Sequence, residues 1–114
     1  MRRLLWAAGL AIIAGPALAE TTLAETTLIS DLRYGSTATI SGTVERITDE
    51  DEFRITDASG SVTVYIGPGI VPFDLGEQIT VNGIVDREFG RMEVYARDAV
   101  RADGSKVTFS HQYE

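Results

Sequence analysis

From Thr37 onward, hydrophobic and polar positions alternate along the chain. In residues 37–47, TATISGTVERI, Ala38, Ile40, Gly42 and Val44 share one side, and Thr39, Ser41, Thr43 and Glu45 share the other. A period of two marks a half-buried strand. The alternation slips at Arg46-Ile47, which predicts a bulge or the strand end. EFRIT, 52–56, turns Phe53 and Ile55 inward and Arg54 and Thr56 outward. Asp57-Ala58-Ser59-Gly60 has the Asp-first, Gly-last chemistry of a type I turn and closes a hairpin. SVTVYI follows, with Val62, Val64 and Ile66 inward and Thr63 and Tyr65 outward. QITVNGIVD, 78–86, is a fourth strand with Ile79, Val81, Gly83 and Val85 inward. Glu88-Phe89-Gly90 is a tight turn. RMEVYA, 91–96, is a fifth strand with Met92, Val94 and Ala96 inward, and Val100 extends it past an irregularity at Asp98. After the Asp103-Gly104 turn signal, KVTF adds a short edge strand.

Two segments fall outside this pattern. Thr27 to Gly35, TLISDLRYG, predicts a short helix capped by Thr27, with Leu28 and Leu32 on one face and Gly35 ending it. Gly67 to Gly76, GPGIVPFDLG, is too rich in Gly and Pro for more than one helical turn. Its Ile70, Val71, Phe73 and Leu75 are too apolar for a free loop and are expected to plug one end of a core.

The first residues carry an export pattern. Arg2 and Arg3 precede an unbroken apolar run, Leu4 to Ala14, and Ala17-Leu18-Ala19 supplies small residues before Glu20. This predicts a Sec-type signal peptide over 1–19, cleaved after Ala19. The run is far shorter than the roughly 20 residues that span a bilayer, so no membrane anchor is expected after cleavage. Residues 19–23 and 24–28 both read AETTL. The duplication leaves cleavage after Ala24 as an alternative, and residues 20–27 are read as a flexible leader. The expected domain then covers 28–110, with 111–114 as a C-terminal tail.

Cleavage would remove two of the 10 basic residues and none of the 17 acidic ones, taking the formal charge from −7 to −9. Such a chain repels phosphate backbones and anionic lipid. There is no cysteine, so an oxidising compartment supplies no staples and stability rests on packing.

Five alternating strands rich in Thr, Val and Ile predict an antiparallel sheet with one apolar face. Closing the sheet into a small barrel hides that face and removes the edges. Gly42, in the middle of the long first strand, allows a sharp bend, so that one strand pairs in both halves of a five-stranded Greek-key OB-fold barrel. Gly83 repeats the feature in strand four. The expected fold is therefore all-β: an OB barrel with a short N-terminal helix, preceded by a signal peptide.

Three runs strengthen that reading. They are Ala38-Thr39-Ile40-Ser41-Gly42-Thr43-Val44, then Phe53 to Val64 (FRITDASGSVTV), then Ile79 to Asp86 (ITVNGIVD). In order and spacing they resemble the bacterial OB-fold (BOF) family of small periplasmic stress-tolerance proteins. That family shows a V-x-L-x-G-x-I strand, an F-x-D-x-x-G-x-I-x-V hairpin and a V-x-I-x-G-x-V-D strand, followed by an aromatic-Gly turn filled here by Phe89-Gly90. The resemblance covers roughly Leu28 to Val100 and departs from the pattern in the Gly- and Pro-rich segment 67–76. It implies a periplasmic, non-enzymatic domain linked to envelope stress, with no shared catalytic set to carry over.

The residues themselves offer little catalytic chemistry. The one histidine, His111, lies in the C-terminal tail, and Asp57 and Asp86 are explained as a turn former and a strand-end residue. No cofactor is expected. Asp49-Glu50-Asp51-Glu52 is the sharpest charge cluster. Its Asp49 and Asp51 are weak candidates for a divalent cation, against a solvated acidic loop as the simpler explanation. The outward barrel face and the loops after strands one and four form the usual OB binding surface. Arg54, Tyr65, Arg87, Phe89, Arg91 and Tyr95 are the candidate ligand residues, since rings stack on sugars or bases and arginines pair with anions. The expected function is a periplasmic, monomeric binding module. Its partner would be a small anionic or sugar-like molecule or an envelope protein. The alternatives are a nucleic-acid-binding OB domain, which the charge opposes, and an acidic divalent-cation-binding protein.

Overall fold

Thr43 is the residue at which the first strand changes partners. The computed structural model describes residues 25–109. In it β1 (Thr37–Asp49) pairs antiparallel with β4 (Gln78–Glu88) from Thr37 to Thr43, and with β2 (Glu52–Asp57) from Thr43 to Asp49. β2 continues through the Asp57–Gly60 turn into β3 (Gly60–Tyr65), and β4 pairs with β5 (Arg91–Arg101). A short parallel pairing of β3 with β5 closes the cylinder, so the barrel order is β1-β2-β3-β5-β4. The edge strand β6 (Lys106–Thr108) pairs with β5 outside the closed ring.

The bend at the switch depends on a missing side chain. A Cβ on Gly42 would run into the carbonyl of Thr56, and one on Gly83 into the carbonyl of Tyr95. At both places a neighbouring strand crosses too close for any side chain, the reason for glycine inside a strand. Opposite Gly83 the ladder skips a residue: Asn82 faces Asp98 while Gly83 faces Ala96. This bulge shifts the inward set of β5 from Val94 and Ala96 to Ala99, and leaves Val100 half-buried. In β1, shifts after Val44 and Ile47 end the alternation, as the slip in the sequence predicts, and leave Ile47 exposed.

The core is formed by the inward positions. Ile40, Val44, Phe53, Ile55, Val64, Ile79, Val81, Val85 and Val94 are essentially fully buried. Each is worth about 1.5–3 kcal/mol relative to exposure. The segment between β3 and β4 does plug one end, but through half of its apolar residues. Val71 and Phe73 are buried, and the Phe73 ring meets Phe53 edge to face at 5.6 Å. Ile70 and Leu75 instead face solvent. Backbone bonds from Val71 to the Glu50 carbonyl and from Gly76 to the Val44 carbonyl fix the segment on the β1–β2 end, and the other two side chains point away.

The expected helix over Thr27–Gly35 is replaced by a single 3-10 turn, Ile29–Asp31. No Thr27 cap forms; the Thr27 N–H donates to the Thr39 carbonyl. The β2–β3 turn holds this segment, with Ile29 N–H donating to Asp57 Oδ2 at 2.9 Å and Ser30 N–H to Ser59 Oγ at 3.0 Å, and the backbone turns extended at Leu32, which ends the 3-10 turn. Ile29 and Leu32, three apart, go into the core, whereas Leu28 is exposed, as the threefold repeat of a 3-10 turn requires. The expected signal peptide and the tail with His111 lie outside the described residues.

Candidate ligand groove

The β3–β5 pairing sets the surface chemistry. Its register matches Thr63 with Glu93, Val64 with Val94 and Tyr65 with Tyr95. Val64 and Val94 are buried, so alternation sends Thr63, Tyr65, Glu93 and Tyr95 outward together. The two tyrosine rings meet edge to face, 5.2 Å between centroids. The β4–β5 hairpin extends this face. Asp86 lies opposite Glu93 and Glu88 opposite Arg91, while β2 brings Glu52 opposite Tyr65.

At the hairpin tip, Phe89 and Gly90 have φ of 53° and 80°. Two left-handed residues make a type I′ turn, which matches the twist of the flanking strands. A bulky side chain is uncommon there, and Phe89 is 93% exposed. A groove of about 510 Å³ lies between this tip and the tyrosine pair, lined by Glu52, Thr63, Tyr65, Asp86, Glu88, Phe89, Arg91, Met92, Glu93 and Tyr95. That is the size range of small-molecule sites.

Four of the six sequence-predicted ligand residues, Tyr65, Phe89, Arg91 and Tyr95, line the groove. Two do not. Arg87 pairs with Met92, one step out of phase with Asp86 and Glu88, and its guanidinium stacks on the Tyr34 ring at 4.2 Å. Arg54 borders the groove, donating to Thr63 Oγ1 at 3.1 Å, and is not among its lining residues. The other lining residues, Glu52, Thr63, Asp86, Glu88, Met92 and Glu93, are not among the predicted six, and Glu93 is legible from its own strand. It shares the parity of Arg91 and Tyr95 in RMEVYA, and that signal alone would have found it.

The result is an acidic groove with one lining cation. Burial first, then the carboxylates of Glu88, Glu52 and Asp86, push the Glu93 carboxyl up to about 7, while Arg91 pulls it down. The lining does not support the expectation of an anionic ligand. That expectation rested on three arginines, and the only one present stands among four carboxylates.

Asp49 Oδ1 accepts the Glu50 N–H at 2.8 Å, and the Asp51 carbonyl accepts from Ile66. Among the described residues, no three His, Cys, Asp or Glu side chains are gathered to hold a metal.

A five-stranded barrel closed by parallel β3 and β5, with its groove beside the β4–β5 loop, is an OB fold. No family model and no curated protein matches the sequence. Solved structures do match. The hypothetical protein ygiW from E. coli, a BOF-family protein, is similar at a TM-score of 0.55 and 20% identity, over 69% of this chain and 91% of that one. A chain of the S. pombe Stn1-Ten1 complex is similar at a TM-score of 0.52 and 22% identity, over 75% and 83%. At such identities the likeness is one of fold.

Proposed function

We propose that this chain is an exported, non-enzymatic binding module of the BOF type, which takes a small polar ligand in the groove between Tyr65, Tyr95 and the Phe89 tip. One observation carries the reading. The parallel register sets two outward tyrosines side by side beneath a phenylalanine that the hairpin holds almost wholly in solvent. Exposing a large ring on a left-handed backbone works against stability, which favours a role in contact with something else. The likeness to ygiW supports the BOF assignment, and the export pattern over 1–19 supports a periplasmic location. Nucleic acid fits poorly, because phosphates would meet Glu52, Asp86, Glu88 and Glu93.

NMR titration with soluble cell-wall fragments, neutral glycans and amine-bearing peptides alike, tests the proposal. Shifts are expected on Thr63, Tyr65, Phe89, Glu93 and Tyr95, and they should vanish in Tyr95→Ala. Shifts scattered over the β1–β4 face would overturn it.

A further inference from the structure

Resting on that groove as the binding site, we infer that its occupant carries an alkylammonium group, seated among the rings of Tyr65, Tyr95 and Phe89 and the carboxylate of Glu93. Three observations converge. The lining holds three rings, Tyr65, Tyr95 and Phe89, and Met92 adds apolar surface. Among them stand four carboxylates, Glu52 from β2, Asp86 and Glu88 from β4 and Glu93 from β5. The arginines nearby are outnumbered. Arg87 stacks on Tyr34, Arg54 bonds the hydroxyl of Thr63 at the groove's border, and Arg91 alone lines the groove. The ion pairs among the described residues, Arg101 with Glu77 and Lys106 with Asp98, lie away from it.

Ring faces and carboxylates in one concave site suit an ammonium and oppose an anion. The ring quadrupole attracts a cation over its face, and carboxylates that outnumber the one lining cation repel one another until a further cation enters. A neutral sugar would use the rings but not the charge. A carboxylate or phosphate group would meet four carboxylates.

The groups facing Glu93 also give binding a pH signature. Glu52 faces it from β2, Tyr65 from β3, Asp86 and Glu88 from β4, and Arg91 and Tyr95 from its own strand. Burial and the like charges hold its carboxyl partly protonated near neutrality. An arriving ammonium favours the ionised form, so binding releases a proton. Affinity should then rise with pH through about 7, by at most tenfold per unit, and level off above.

Two sources could supply the ammonium, a free polyamine or a lysine side chain, and calorimetric titration distinguishes them. Spermidine represents the first and an end-blocked Gly-Lys-Gly tripeptide the second, each beside its N-acetylated form. The inference expects at least one amine to bind at pH 8 about tenfold more tightly than its acetylated form, and to weaken as salt is raised. The amine that binds identifies the source. Affinity should fall between pH 8 and 6. E93Q should lower it about tenfold at pH 8 and remove the pH dependence, while melting no lower than wild type at that pH, which shows that it folds. Equal affinity for amine and acetylated probe would overturn the inference. If neutral glycan fragments still shift the groove residues in that case, the binding-site reading stands and the ammonium assignment alone fails. Silence from glycans and amines alike at Tyr65, Glu93 and Tyr95 would defeat both.

Discussion

Tyr65 and Tyr95 sit side by side on the parallel seam that closes the barrel, their rings edge to face at 5.2 Å. They are 30 positions apart in a 114-residue chain, and neither belongs to a hairpin that contains the other. The contact exists only because β3 meets β5. Each ring guards the joint while forming the floor of the groove.

That double role predicts a measurable coupling. Aromatic pairs in this geometry add about 0.5–1.5 kcal/mol beyond the area they bury. A double-mutant cycle of Tyr65→Ala and Tyr95→Ala, followed by urea denaturation, should return a coupling of about 1 kcal/mol. Strict additivity would mean that the seam is held by its backbone bonds and the two valines alone.

The two strand glycines should not tolerate even a methyl group. In Gly42→Ala and Gly83→Ala the new Cβ meets backbone atoms, the Thr56 carbonyl in one case and the Tyr95 carbonyl in the other. Neither strand can yield without breaking its ladder. Each substitution should cost about 3 kcal/mol in denaturant unfolding, at the upper end of overpacking. Gly104 provides the comparison. Nothing lies within 4 Å of its Cβ position, so Gly104→Ala should lose only the roughly 1–2 kcal/mol of its left-handed backbone.

Asp57 should make stability depend on acid. Burial works against its charge, but hydrogen bonds from the Ser59 hydroxyl and from the backbone of Ile29, Ser59 and Gly60 hold its carboxyl below the ordinary range. A depressed carboxyl stabilises the fold above its unfolded value and loses that contribution as pH falls through its folded value. Asp57→Ala should therefore cost about 1–2 kcal/mol at pH 7, and the gap from wild type should close below about pH 4. A gap that persists unchanged in acid would place the effect in the turn's shape rather than in its charge.

Much of this architecture was legible along the chain, since alternation is a local property. Ile40, Phe53, Ile55, Val64, Val81 and Val94 sit inward because every second residue of a strand must. The Asp57–Gly60 turn follows from the side-chain oxygens of Asp and the freedom of Gly. Gly42 announced the bend by lacking a side chain where the strand had to change partners. Parity also held the key to Glu93 and against Arg87, because residues one step apart on a hairpin face opposite ways.

What tertiary structure decided was everything set by proximity without sequence neighbourhood. In place of the helix expected before β1 stands a 3-10 turn whose first donors, Ile29 and Ser30, are held by Asp57 and Ser59, 28 and 29 residues on. Ile70 and Leu75 were left in solvent because the plug had room for only Val71 and Phe73. The sign of the groove was likewise hidden. Along the chain the arginines of β2, β4 and β5 suggested an anion, but closure of the barrel gathered Glu52, Asp86, Glu88 and Glu93 around Arg91 alone, with Arg54 bonded to Thr63 at the border. A local pattern determines which face of a strand a residue occupies. Only the closing of β3 on β5 determines which charges that face must share.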